Sequence, residues 1–165
     1  MEEIKDSYLT IESDAEAIFK EKSSKFLCYA FHVESEEEIA AHLEILRKRY
    51  YDATHHCYAW RLGPFGERFR ANDDGEPSST AGKPILGQLL SREITNCLIV
   101  VVRYFGGIKL GAGGLVRAYT KSITSTITED NIVNLIKGYN LNIEFDKINT
   151  IVPLNELKMI IKDMN

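Results

Sequence analysis

The sequence predicts a single domain in which β-strands and α-helices are mixed. Residues 97–102 are all apolar and do not alternate with polar residues, as in a central strand that is covered on both faces. Residues 36–50 place apolar side chains at helical spacing behind a capping box that begins at Ser35. A chain of 165 residues that is 44% hydrophobic is long enough to bury one core.

Two strands are predicted before this helix. The segment "YLTIE" alternates, and "KFLCYAFHV" is rich in aromatic residues. The intervening "SDAEAIFKEKSS" is ambiguous. We expect the helix over residues 36–50 to turn its charged side chains toward solvent and to bury the apolar ones, which are Ile39, Leu43, Leu46 and Tyr50.

The segment "ATHHCYAWRL" is predicted to be a strand, and the Gly- and Pro-rich residues 63–84 to form mostly hairpin and loop. On a strand, His55 and His56 point to opposite faces, so they cannot share a metal ion. Pro84 suits the first turn of a short helix that ends near Ser91.

A glycine-rich segment, "RYFGGIKLGAGGLVRAYTK" at residues 103–121, joins the central strand to a helix predicted from Gly113. It holds five of the eleven glycines, four cations and no carboxylate. Backbone N–H groups that converge at a helix start form a generic anion site, so we expect phosphate or nucleic-acid binding here. The alternative is that the glycines serve a tight turn while the cations are merely solvated. The candidate binding residues are Arg103, Gly106, Gly107, Lys109, Gly111, Gly113, Gly114, Arg117 and Lys121.

The known phosphate-binding fingerprints do not fit. "GAGGLV" has Val116 where a dinucleotide-binding loop needs its third glycine. "GEPSSTAGKP" has six residues between its glycines, and a proline where a P-loop needs Ser or Thr. The segment therefore names no cofactor, and we predict none.

A second candidate is the carboxylate cluster "NDDGEP", in which Asp73, Asp74 and Glu76 could hold a cation or act as a base. Asp-Gly and Glu-Pro are also ordinary turn chemistry. The spacing specifies neither a catalytic triad nor a metal site, so we leave catalysis open and predict no metal. His55 and Thr80 join the carboxylates as possible cleft residues.

Charge and composition limit the setting of the protein. A net charge of −4 argues against a protein that coats nucleic acid through bulk charge. The three scattered cysteines suggest buried, reduced thiols. The longest apolar run falls far short of the roughly 20 residues of a membrane span, and the acidic N-terminus does not resemble a signal peptide. We expect a cytoplasmic protein with no membrane partner.

Three blocks of the sequence resemble the signatures of the IMPACT/YigZ family, in order and in separation. They are "DATHHCYAWRL", "NDDGEPSSTAGKPIL" and "VVVRYFGGIKLGAGGLVRAY", and the resemblance spans roughly residues 7–128. It implies an α+β fold like the second domain of ribosomal protein S5, a sandwich of a mixed sheet with helices on one face. It also implies that the family's shared positions fall here on His55, Asp73, Asp74, Gly75, Glu76, Pro77, Thr80, Gly82, Arg103, Tyr104, Phe105, Gly106, Gly107, Lys109, Gly111, Gly113, Gly114, Arg117 and Tyr119.

The resemblance also implies a domain plan. We expect an IMPACT/YigZ-type domain over residues 1–131 and a C-terminal extension over residues 132–165, with a strand at "YNLNIEF" and a helix at "LNELKMIIKDM". The extension corresponds to part of the ferredoxin-like second domain of bacterial relatives, either truncated or packed onto the first domain. Eukaryotic relatives restrain a kinase that acts on translation initiation, usually through an RWD domain. This chain shows none, so a bacterial-type role is implied.

Three functions stay open. The first is a translation-associated binding protein whose basic segment engages RNA or the ribosome, with Tyr104 or Phe105 stacking on bases. The second is an enzyme on a phosphorylated small molecule, with the carboxylates as base or magnesium ligands. The third is a regulator that binds a translation factor without nucleic acid. The sequence indicates no oligomeric state.

Overall fold

The computed structural model describes residues 7–138. Within this range lie seven strands, three α-helices and one short 3-10 turn before the last strand. In chain order the elements are β1 Ser7–Ile11, β2 Ala15–Glu21, β3 Ser24–His32, α1 Glu36–Arg49, β4 His55–Leu62, β5 Arg68–Asn72, α2 Gly82–Ser91, β6 Cys97–Tyr104, α3 Gly111–Thr126 and β7 Ile132–Ile136. The mixed α and β class predicted from the sequence is confirmed.

Five strands form one sheet in the order β2-β3-β6-β4-β5, so the apolar strand β6 lies at its centre as predicted. Every neighbouring pair in this sheet is antiparallel, and the expectation of a mixed sheet is wrong. The reason is the position of β6. Strands β3 and β4 run parallel to each other, but β6 lies between them and runs opposite to both.

Helices cover both faces of this sheet, so the expectation of helices on one face is also wrong. Alternate residues of β6 face opposite sides, and both sets are buried and apolar. Cys97, Ile99 and Val101 belong to the core under α2 and α3, whereas Leu98 and Val100 belong to the core under α1. A central strand that is apolar on both sides requires cover on both sides.

The ends of the described region pair with each other. Strands β1 and β7 form a separate two-stranded antiparallel sheet in which Ser7 faces Ile136. The division into domains after residue 131 stays a prediction, and the strand and helix expected in the C-terminal extension lie outside the described residues. The ambiguous segment between the first two predicted strands is β2, an edge strand of the larger sheet.

The helices agree closely with the prediction from the sequence, but the start of α3 and one position on its buried face differ from it. The Ser35 hydroxyl accepts the N–H of Glu38 at 3.2 Å and caps α1, as the sequence indicates. Helix α2 begins at Gly82, so Pro84 lies in its first turn as predicted, whereas α3 begins two residues before its predicted start at Gly113. In the sequence, Val116 repeats at helical spacing with Tyr119, Ile123 and Ile127, which predicts that it is buried; it is 38% exposed, and Leu115 is buried instead.

Candidate functional site

The glycine-rich segment leaves β6 at Tyr104 and enters α3 at Gly111. Its first glycine lies against the turn between β2 and β3. A Cβ atom at Gly106 would come within 2.1 Å of the carbonyl group of Ser23, so no larger residue fits without moving the backbone. Close backbone approach, rather than ligand contact, therefore explains this glycine.

Arg103 carries the first cation of the segment, and its charge is neutralised inside the protein. Its side chain is only 5% exposed, and Nη1 donates to Oε1 of Glu76 at 2.5 Å. Nη2 donates to the Ser24 hydroxyl at 3.2 Å, and the rings of Phe26 and Phe105 lie 5.4 and 5.6 Å from the guanidinium carbon. This arginine is an internal partner of a carboxylate as well as a lining residue of a cleft.

Glu76 is the centre of a buried polar cluster. Its Oε1 also accepts the hydroxyl of Tyr119 at 2.8 Å, and that hydroxyl lies 3.2 Å from the Cys57 sulfur. Burial, helped by the neighbouring Cys57 and Glu76, raises the pKa of Tyr119 well above its ordinary range. Burial likewise raises the pKa of Cys57, so both groups keep their protons and neither is a poised nucleophile.

His55 is oriented by the backbone of the carboxylate turn. Its Nδ1 lies 2.8 Å from the carbonyl oxygen of Asp74. Because a carbonyl oxygen can only accept, Nδ1 carries the proton of this hydrogen bond. The other ring nitrogen, Nε2, then points toward Oε2 of Glu76 at 3.7 Å. His56 points to the opposite face and is buried, as the strand pattern predicts.

Asp73 holds the start of α2. Its Oδ1 accepts the N–H groups of Ala81 and Gly82 at 3.0 and 2.8 Å, and its Oδ2 accepts that of Ser79 at 2.8 Å. Burial alone would raise the pKa of Asp73, but these three backbone donors hold it below its ordinary value. This carboxylate acts as the cap of a helix that has no capping side chain of its own.

Asp74 and Thr80 are also engaged within the turn. Oδ2 of Asp74 accepts the backbone N–H of His56 at 2.6 Å, and the Thr80 hydroxyl donates to the carbonyl of Pro77 at 2.6 Å. Asp74 adopts a positive φ of 42°, which short polar residues tolerate in turns.

Among residues 7–138, no group of three or more histidine, cysteine or acidic side chains could hold a metal ion.

The three sequence regions named as candidates meet in one cleft of about 360 Å³. Strand β4 contributes His55, and the carboxylate turn contributes Glu76. The glycine-rich segment contributes several further lining residues, which include Arg103, Phe105, Lys109 and Gly111. Lys109 and Gly111 are exposed at the rim. Residues distant in sequence thus form a single concave site.

The remaining cations lie on the other side of the α3 start. Arg117 and Lys121 are exposed and line a smaller cavity of about 110 Å³ together with Gly114, Glu21 and Lys22. Lys22, from the turn between β2 and β3, is not among the residues predicted from the sequence. Its only signal is the three lysines of "KEKSSK", because no spacing rule links that turn to a helix about 90 residues later.

The first turn of α3 between these two cavities is open. Gly111, Ala112 and Gly113 are exposed, the turn contains no acidic residue, and in the described structure no side chain caps it. Its backbone N–H groups are therefore left to solvent or to a ligand.

No helix within residues 7–138 is long and apolar enough to cross a membrane.

A known domain family matches the part of the chain that forms both cavities. The Impact N-terminal domain matches residues 22–127, which hold every residue of both cavities except Glu21. The chain belongs to the IMPACT family. Among IMPACT family members, YvyE of Bacillus subtilis is 42% identical over 77% of this chain and 58% of its own length. YigZ of Escherichia coli is 41% identical over 66% of this chain and 54% of its own length.

A solved structure described as a hypothetical protein shares the fold, with a TM-score of 0.71 at 35% identity. It covers 79% of this chain, and 65% of that protein is matched. The chain thus spans little more than half the length of the IMPACT family members named above. The family resemblance seen in the sequence is confirmed.

Proposed function

We propose that this IMPACT-family chain is a translation-associated protein that binds RNA, or the ribosome through its RNA, with the exposed cations of the glycine-rich segment. Lys109, Arg117 and Lys121 supply the charge, and Lys22 adds to it from the neighbouring turn. The translation setting is what the family resemblance implies. We also propose the likeness to the second domain of ribosomal protein S5 that the resemblance implies, without the mixed sheet and the one-sided helices that are corrected above.

One observation carries the proposal. The protein has a net charge of −4, yet residues 103–121 contain four cations and no carboxylate, and three of those cations are exposed: Lys109 just before the uncapped start of α3, and Arg117 and Lys121 along that helix. Locally concentrated positive charge attracts phosphate groups even when the whole protein is acidic. Backbone N–H groups at a helix start add donors for phosphate oxygens.

An aromatic side chain stands beside these cations. Phe105 is 45% exposed, so one side of its ring can receive a base, while Arg103 lies near the ring at 5.6 Å. Tyr104 is less suited to stacking, because its hydroxyl donates to Asp52 at 2.8 Å and the residue is only partly exposed. Cationic side chains that contact the phosphate backbone of the nucleic acid, together with an aromatic ring on which a base stacks, are the usual elements of a single-strand binding site.

The test is fluorescence anisotropy of a labelled short single-stranded RNA. We expect Arg117→Glu and Lys121→Glu each to weaken binding several-fold, because each reverses a charge that would face phosphate. The matched control is Lys48→Glu on α1, which lies on the opposite face of the sheet. Equal affinity of the wild type and both cavity variants would refute the proposal.

A protein partner is the second candidate, and exposed apolar residues favour it. Phe105 and Ile108 are 45% and 51% exposed and lie three residues apart, beside the basic residues. Such a surface also suits a translation factor, in keeping with the third function left open by the sequence. Co-precipitation of a translation factor that persists after RNase treatment, and that Ile108→Asp abolishes, would favour this candidate over RNA.

A further inference from the structure

The floor of the cleft presents two hydrogen-bond acceptors to each other. Nδ1 of His55 donates to the Asp74 carbonyl, so a singly protonated ring has a lone pair on Nε2. The Nε2 atom lies 3.7 Å from Oε2 of Glu76, too far for a direct hydrogen bond. A donor placed between the two atoms would satisfy both.

Neither atom has another partner in the described part of the chain. The hydrogen bonds to the Glu76 carboxylate, from Arg103 and Tyr119, both go to Oε1. The Glu76 side chain is only 3% exposed and that of His55 only 17%, and both residues line the cleft. A donor on a molecule in the cleft can therefore reach both acceptors in a largely buried setting, where hydrogen bonds to a charged group are stronger than in water.

The floor of the cleft favours a hydrogen-bond donor, whereas its rim favours an anion. Lys109 is exposed and, within residues 7–138, forms no ion pair, and the open first turn of α3 begins two residues later at Gly111. Both attract an anion. Between floor and rim the walls are apolar, formed by Phe105, Leu110 and Leu115.

We propose that this cleft binds a phosphorylated small molecule, such as a sugar phosphate or a mononucleotide. A hydroxyl or amine of the ligand donates to His55 Nε2 and Glu76 Oε2, and the phosphate contacts Lys109 and the amides of the α3 start. The cleft volume of about 360 Å³ falls within the usual range for small-molecule sites, roughly 300–1,000 Å³. A donor at one end and a phosphate at the other match the two ends of the cleft.

The cleft shares Lys109 and Phe105 with the RNA-binding face, but Arg117 and Lys121 line the smaller cavity and do not line the cleft. Variants at Arg117 and at His55 therefore distinguish the two proposals. Loss of RNA binding in Arg117→Glu would leave ligand binding in the cleft unchanged, and the reverse holds for His55→Leu.

The test is titration calorimetry of the full chain at constant ionic strength. The probes are ribose 5-phosphate, glucose 6-phosphate and AMP, with ribose and inorganic phosphate as partial probes. We expect saturable binding of at least one of the three phosphorylated probes, at least tenfold tighter than either partial probe, because only the whole molecule reaches both ends.

Two variants test whether the ligand binds in this cleft. His55→Leu removes one acceptor while keeping an apolar side chain of similar size, and Lys109→Ala removes the rim charge. We expect each to weaken binding tenfold or more, whereas the control Lys48→Ala should have no effect. If His55→Leu does not fold, Lys109→Ala on its exposed loop decides. Failure of all three phosphorylated probes to bind, or equal binding by wild type and Lys109→Ala, would overturn the proposal.

Discussion

The buried ion pair between Arg103 and Glu76 connects the glycine-rich segment to the carboxylate turn, and its removal should be costly. The perturbation is Arg103→Met, which keeps an unbranched apolar chain near the rings of Phe26 and Phe105. Among the donors within residues 7–138, it leaves the Glu76 carboxylate with the Tyr119 hydroxyl at 2.8 Å.

The size of the effect follows from burial. The two side chains are 5% and 3% exposed, so the carboxylate cannot recover solvation when its partner is lost. Breaking such a pair typically costs about 3–5 kcal/mol. Glu76→Gln should cost a similar amount by leaving the guanidinium unpaired, whereas the double variant buries no unpaired charge. We expect the double variant to be at least about 2 kcal/mol more stable than the sum of the single effects predicts.

The assay is urea denaturation followed by the fluorescence of Trp60, the single tryptophan of the chain, which is buried in the core under α1. A domain of ordinary stability, about 5–15 kcal/mol, tolerates these losses and stays measurable. Additive single effects, or a loss below about 1 kcal/mol for Arg103→Met, would refute the reasoning that the pair is buried and neutralised internally.

Three further predictions concern the framework of the site. Gly106→Ala should lower the melting temperature by several degrees, because its Cβ would meet the Ser23 carbonyl at 2.1 Å; an unchanged melting curve would contradict that packing. Asp73→Ala should cost about 1–2 kcal/mol at neutral pH by removing the cap of α2. Because folding lowers the pKa of Asp73, its contribution to the free energy of unfolding is complete above the ordinary pKa of 3.8 and is lost as the pH falls through the lower folded value. Urea denaturation of the wild type and of Asp73→Ala from pH 7 to pH 2 should show the difference in stability shrink at low pH, and a constant difference would contradict the capping role. The thiols of Cys28, Cys57 and Cys97 are buried with raised pKa values, so Ellman's reagent should label them only after unfolding, and rapid labelling of the native protein would be inconsistent with this burial.

The elements with strong local signals could be predicted from the sequence. The capping box at Ser35 and the unbroken apolar run of β6 each determine their structure through neighbours in the chain. The sheet arrangement could not be derived in this way. A strand that is apolar on both faces already indicates cover on both sides, and the expectation of helices on one face came from resemblance rather than from that pattern.

The roles of the site residues likewise could not be predicted in full from local sequence patterns. The sequence places Arg103 among glycines and other cations, which favours a phosphate contact, but its partner Glu76 lies 27 residues earlier in the chain. The prediction for the buried face of α3 is wrong at Val116 because small residues such as Ala118 and Ser122 take part in that face and carry little hydrophobic signal. Long-range pairing and close packing over small side chains are not encoded in local spacing.

The salt dependence of RNA binding tests the central claim most directly. The logarithm of the affinity of the wild type should fall linearly with the logarithm of salt concentration, because phosphate contacts release counterions. Arg117→Ala should reduce that slope by about 0.7, the value for one phosphate contact on a single strand, and Lys48→Ala should leave it unchanged. An affinity independent of salt, or the same slope for the wild type and Arg117→Ala, would contradict the proposal that this basic segment binds RNA phosphates.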